Sequence, residues 1–92
     1  MRPRQLYRFE VVARPHEPET DKAGREKRWR ATMLVAGNTQ SCVDAINSCL
    51  AEKSMEATLH AGFEFLRKAK SREGPGVVEV LDEHWVWVEP RR

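Results

Sequence analysis

The chain has 92 residues, 40% hydrophobic and 33% charged, which suits one small domain around one core and excludes a second domain or a deep cofactor cleft. Lys and Arg number 16 against 14 Asp and Glu, a formal charge of +2, far from the strongly basic balance of a dedicated nucleic-acid binder. No run approaches the roughly 20 apolar residues of a membrane span, and Met1-Arg2-Pro3-Arg4-Gln5 leads into Leu6-Tyr7-Arg8-Phe9-Glu10 without a signal-type apolar stretch, so a soluble, cytoplasmic protein is expected.

Leu6 to Arg14 alternates, with Tyr7, Phe9, Val11 and Ala13 on one side and Arg8, Glu10, Val12 and Arg14 on the other. That pattern predicts a strand with one buried face. Residues 15–26 follow, with two prolines, a glycine and many charges, a composition that buries little and reads as a mobile charged loop. Lys27 to Ala36 alternates again: Trp29, Ala31, Met33 and Val35 against Arg28, Arg30, Thr32 and Leu34. The two strands are expected to pair antiparallel and supply half of the core.

Gly37-Asn38-Thr39-Gln40-Ser41 is a turn rich in capping residues, and Ser41 with Asp44 three positions on imitates a capping box. A helix of about 12 residues is predicted from there, because Cys42, Ile46, Cys49 and Leu50 follow the i, i+4, i+7, i+8 spacing of one apolar stripe. Both cysteines lie on that stripe about 10 Å apart along the axis, beyond disulfide reach, and are read as reduced core thiols.

Residues 54–70 carry two periods at once. Met55, Leu59, Phe63, Leu66 and Ala69 recur at helical spacing, whereas Ala57, Leu59, Ala61, Phe63 and Phe65 alternate as in a strand. The many good helix formers and the basic end favour a second helix; Gly62 speaks against it. Ser71-Arg72-Glu73-Gly74-Pro75-Gly76 then breaks the chain. Val77 to Glu89, rich in valine and tryptophan, would reach about 43 Å as one straight strand, so a turn or bulge is expected at Asp82-Glu83-His84. The outcome is either a hairpin or one strongly bent strand, and Pro90-Arg91-Arg92 ends the sheet.

Chemistry-bearing motifs are sparse. His16, His60, His84, Cys42 and Cys49 are scattered over separate elements without the spacing of a metal site. Gly74-Pro75-Gly76 precedes a strand, and no phosphate-binding loop or Gly-x-Ser-x-Gly turn occurs. The thiols sit on a packing stripe, where they lose reactivity, and Asp82-Glu83 reads as a pair of turn charges. No catalytic residue, metal or cofactor is expected, and the chain is not read as an enzyme.

The candidate binding constellation is the sheet face opposite the core. Arg8, Arg14, Arg28 and Arg30 project there, and Trp85 and Trp87 on the same side would complete a guanidinium and aromatic platform of the kind that stacks bases and neutralises phosphates. Alternatively, Trp85 and Trp87 face the core while Val86 and Val88 face out. Either set leaves an apolar row for a helix, a second copy of the chain or another protein to cover, and Trp and Arg are the residues enriched at binding hot spots. Arg67, Lys68 and Lys70 form a basic tail that adds a further contact surface.

In size and layout (two strands, a long charged loop, a helix opening at Asn38-Thr39-Gln40-Ser41, then late strands) the chain resembles small proteins of phages and mobile elements, including anti-CRISPR inhibitors. The resemblance implies a protein without catalytic groups that sterically blocks a nucleic-acid-handling complex. Many such inhibitors are acidic, and the charge of +2 departs from DNA mimicry.

The expectation is therefore a single α+β domain over residues 1–92, an antiparallel sheet of three to four strands with one or two helices on one face, in the order β-β-α-α-β-β. Its leading function is that of a non-catalytic protein-binding module using Arg8, Arg28, Arg30, Trp85, Trp87, Arg67, Lys68 and Lys70. An RNA- or DNA-binding domain using the same sheet face is the alternative.

Overall fold

The computed structural model describes residues 4–59 and 62–89. They form five strands and one helix: β1 (Gln5–Pro15), β2 (Glu26–Gly37), α1 (Thr39–Glu52), β3 (Met55–Leu59), β4 (Phe63–Lys68) and β5 (Gly76–Val88). The fold is α+β with an antiparallel sheet in the order β3-β1-β2-β5, and β4 also pairs with β1. β3 meets Val12–Pro15 and β4 meets Gln5–Phe9, so the two short strands lie end to end along one edge of β1. His60 and Pro90-Arg91-Arg92 lie outside the described residues.

The expected alternation in β1 and β2 is the alternation observed. Nine cross-strand pairs run without interruption from Gln5↔Gly37 to Ala13↔Trp29, so odd-numbered residues of both strands share one face. On that face Tyr7, Phe9, Val11, Ala13, Trp29, Ala31, Met33 and Val35 pack with Cys42, Ile46 and Leu50 of α1 and with Met55. Cys42 is buried, Cys49 half-buried, and both are free thiols. Burial pushes the Cys42 thiol up from its ordinary value, which keeps it protonated and unreactive.

The helix begins three residues earlier than the Ser41 cap suggested. Asn38 is the cap: its Oδ1 accepts the Ser41 N–H at 2.8 Å, and Ser41 Oγ accepts the Asn38 N–H at 3.0 Å. Ser41 thus closes the capping box from its far end, and Asp44 instead accepts from Gln40 at 3.1 Å. Gly37 precedes the cap at φ +151°, where a Cβ would run into Ser41 Oγ.

The second helix expected over 54–70 is absent; β3 and β4 occupy that stretch. The period-2 pattern prevails because the free edge of β1 must pair its N–H and C=O groups, and Phe63 and Phe65 gain cross-strand partners in Phe9 and Tyr7. Ser54, at φ +57°, turns the chain out of the helix and back along β1. The element order is accordingly β-β-α-β-β-β. The Val77–Glu89 segment takes the bent-strand form: between Arg30↔His84 and Thr32↔Leu81, two steps along β2 face three along β5, and Asp82 adopts φ +54°. Such a bulge bends and twists a strand without ending it.

In the 15–26 connection, Asp21 organises a tight turn. Its Oδ1 accepts N–H groups of Ala23 (3.0 Å) and Arg25 (2.8 Å), and its Oδ2 holds Arg25 Nε at 2.7 Å. At the opposite end of the sheet, the 69–75 connection crosses from the β4 edge to the β5 edge. It is tied to the start of β1 by Arg4 Nη2 donating to the Glu73 carbonyl at 3.1 Å and by the Ala69 N–H donating to Arg4 O at 2.9 Å. Leu6 and Ala36, on the face away from α1, are each 1% exposed at this end.

The molecule is long, 52 × 22 × 21 Å, with a radius of gyration of 14.6 Å, against about 12 Å for a compact chain of this size. A 14-residue helix is about 21 Å long, whereas a 13-residue strand approaches 43 Å. One helix therefore cannot cover the sheet. Gly37→Ala is expected to lower unfolding free energy by about 2 kcal/mol, through strain at positive φ and disruption of the cap, and Asn38→Ala by about 1 kcal/mol. Urea titration of both variants against the parent checks the order.

Candidate functional site

α1 crosses its face of the sheet on a diagonal. Midway along it Ala45 lies beside Gly76 at the head of β5, and it packs on β3 at the opposite edge, which the chain enters at Met55 beside Pro15 directly after the helix. Two corners of the same face stay uncovered. One belongs to β4, where Phe63 stacks on Phe9 (centroids 5.4 Å apart) and meets Tyr7 edge-on at 5.5 Å, with Phe65 at 6.0 Å from Tyr7. Tyr7 and Phe9 are buried beneath rings that are themselves about half exposed.

The other corner belongs to the last residues of β5. Trp85 pairs with Trp29 and Trp87 with Lys27, which sets both on the helix side of the sheet. Trp29 is buried, whereas Trp85 is 50% and Trp87 44% exposed, because α1 has already crossed toward β3. The Lys27 ammonium sits 5.1 Å from the Trp85 ring centre and 6.0 Å from that of Trp87, within cation–π range.

The arginines lie on the other face. The platform combining Trp85 and Trp87 with Arg8, Arg14, Arg28 and Arg30 on one side is therefore not formed: β5 registers its tryptophans with odd-numbered residues of β2 and its valines, Val86 and Val88, with Arg28 and Glu26. Most of the arginines are also engaged by carboxylates. Arg8 pairs with Glu64, while Arg14 and Arg28 flank Glu26 at 2.8 and 3.1 Å. Arg30 makes no ion pair among the described residues. It borders a shallow polar hollow at the β5 bulge together with Glu10, Thr32, Asp82 and His84.

That hollow holds polar groups without a reactive arrangement. Thr32 Oγ1 donates to the Glu10 carboxylate at 3.0–3.1 Å, and His84 Nδ1 lies 2.7 Å from the Asp82 carbonyl. A carbonyl can only accept, so Nδ1 carries the proton there. Among the described residues no three His, Cys, Asp or Glu side chains are grouped to hold a metal ion, and no helix is long and apolar enough to cross a membrane.

Of the expected basic tail, Arg67 lies on β4 and is locked to Glu73 by two hydrogen bonds of 2.6 and 2.8 Å. Lys68 is exposed opposite Gln5, and Lys70 donates its backbone N–H to Glu73 Oε1 at 2.7 Å. Arg67 and the Lys70 backbone thus tie the 69–75 crossover to β4 through Glu73, and the Lys68 side chain stays exposed. The Phe63 and Phe65 corner was not among the residues singled out from sequence. Its signal was the alternation through Ala57, Phe63 and Phe65, which the competing helical spacing outweighed.

Compared with protein-family models, curated proteins and solved structures, the chain finds no match. The functional reading rests on the surface just described.

The Arg67 guanidinium and the Lys70 N–H hold the Glu73 carboxyl down from an ordinary 4.5 to about 2, and Glu73 in turn raises Arg67. A carboxylate whose folded value lies below its unfolded one stabilises the fold fully above the unfolded value, and that stabilisation is lost as pH falls through the folded value. The melting temperature of the protein is therefore expected to drop more steeply between pH 4.5 and about 2 than that of Glu73→Gln. Parallel acid titrations of the two proteins, with the Glu73 carboxyl followed by NMR, measure it.

Proposed function

We propose that the chain is a non-catalytic protein-binding module that takes hold of a partner protein through the Trp85 and Trp87 corner at the open edge of β5. The observation carrying this reading is a pair of half-exposed tryptophans beside a strand edge with which no described residue pairs. Large aromatic side chains left in water by a folded domain mark interaction surfaces, and truncating such anchors in an interface typically costs 2 kcal/mol or more. Both rings already touch a cation, Lys27, which limits their motion and lowers the ordering cost of binding.

The separation of faces favours a protein over a nucleic acid as partner. Base stacking with phosphate neutralisation needs aromatic and cationic groups on one surface. Here the tryptophan face has Lys27, itself paired with Glu19 at 3.7 Å, while Arg8, Arg14 and Arg28 are on the far side and engaged by Glu64 and Glu26. The role that accords with the resemblance to phage and mobile-element proteins is inhibition by occlusion: once seated, a body 52 Å long blocks a wide surface of its partner without chemistry.

Affinity capture with immobilised protein tests this reading. A partner retained by the parent chain is expected to be lost, by about 30-fold or more in affinity, with Trp85→Ala and Trp87→Ala combined, and kept with Arg8→Glu. Equal capture by the double tryptophan variant, its fold verified by circular dichroism, would sink the proposal. A saturable tryptophan-fluorescence change on adding RNA or DNA, steeply weakened by salt, would move the assignment to nucleic acid.

A further inference from the structure

β5 is the margin of the sheet: it pairs with β2 on one side, and no described residue pairs with it on the other. Thirteen residues thus present a row of backbone N–H and C=O groups, the template for adding another strand. From Gly76 to Glu89 the chain carries four carboxylates, Glu79, Asp82, Glu83 and Glu89, and neither lysine nor arginine. None of these four forms an ion pair among the described residues. Negative charge is thus gathered along the edge strand, with one cation, Arg30, bordering the hollow beside Asp82.

The side chains of β5 are sorted by face. Val77, Val80, Trp85 and Trp87 stand on the helix side, opposite Val35, Met33, Trp29 and Lys27. Glu79 and His84 stand on the other, opposite Leu34 and Arg30, and Asp82 borders the hollow on that same side. Leu81, Val86 and Val88 share that second face, opposite Thr32, Arg28 and Glu26, so an added strand would meet an apolar row on one face and, on the other, the carboxylates Glu79 and Asp82 set among apolar side chains. A second copy of β5 fits poorly, because pairing centred on Asp82 and Glu83 opposes carboxylate to carboxylate.

We propose that β5 receives, by strand addition, an extended segment of the partner protein in which Lys or Arg alternates with apolar residues. The basic side chains lie over Glu79 and Asp82, and the apolar ones lie against Val80, Trp85 and Trp87. The inference rests on the protein-binding reading above and supplies the chemistry of its partner. The same carboxylates that discourage self-pairing select this occupant, so attraction and rejection come from one set of residues.

The probe is a capped, dye-labelled peptide alternating lysine with valine and one phenylalanine, beside a block peptide of equal composition and an alternating peptide with glutamate for lysine. Fluorescence anisotropy is expected to show saturable binding of the alternating basic peptide alone, with amide NMR shifts concentrated on β5. Glu79→Lys, Asp82→Lys and Glu83→Lys combined should weaken binding about tenfold or more; the gentler Glu79→Gln, Asp82→Asn and Glu83→Gln set should weaken it less while keeping the fold. Equal binding of the block peptide would reduce the contact to charge alone and overturn strand addition, as would no binding at all. Concentration-dependent dimerisation in sedimentation that is abolished by Trp87→Ala would make a second copy the occupant and overturn it too. Capture that survives the lysine set but fails with Trp85→Ala and Trp87→Ala would refute this inference and leave the protein-binding reading standing; capture untouched by either set would remove both.

Discussion

One helix about 21 Å long lies over a sheet whose longest strand is about twice that length, and the surface of this protein follows from that mismatch. Had α1 run along the sheet axis, it would have covered β2 and left the edges alike. It crosses instead from the head of β5 to β3, because the chain leaves α1 through Ser54 and must enter β3 at Met55, beside Pro15. The diagonal shelters Trp29 and leaves Trp85 and Trp87 half in water. At the other corner the sheet supplies its own cover, since Phe63 and Phe65 fold over Tyr7 and Phe9.

The far face is organised by charge. Arg8 with Glu64, and Glu26 between Arg14 and Arg28, spread opposite charges over neighbouring strands. Each such exposed pair contributes little to stability, roughly 0–1 kcal/mol, yet together they engage Arg8, Arg14 and Arg28, three of the four arginines that β1 and β2 set on this face. A formal charge of +2 therefore conceals an uneven distribution: the segment from Gly76 to Glu89 carries four carboxylates and neither lysine nor arginine, and none of the four forms an ion pair among the described residues. The charge of the β5 edge is that of its own strand, opposite in sign to the chain as a whole.

The irregularity of β5 links these two surfaces. The bulge at Asp82, with its left-handed backbone, lets thirteen residues follow the twist of β2 and restores register so that Trp85 meets Trp29. Aspartate tolerates that conformation better than a β-branched or large apolar residue. The same bulge carries Asp82 to the rim of the hollow beside Arg30 and His84. Together with the register shift between Leu34 and Val35, this bulge decides which face the tryptophans take, and it sets Asp82 at the hollow.

Much of the fold was legible in the residues themselves. The alternation of β1 and β2 named their buried faces residue by residue, the Cys42, Ile46 and Leu50 stripe named the buried side of α1, and the length of the Val77–Glu89 run demanded a bend near Asp82. These are local properties, set by period and by what each residue can bury. Three matters could not be read in this way. Residues 54–70 held both a helical and an alternating pattern, and the choice fell to the unpaired edge of β1, a partner distant in sequence. The face of Trp85 and Trp87 depended on two register shifts between β2 and β5, each of which exchanges inside for outside. The exposure of those rings depended on where a short helix ran across a long sheet. Periodicity along the chain determined what each segment is able to bury; pairing register and helix direction, which join residues far apart in sequence, decided what was left uncovered.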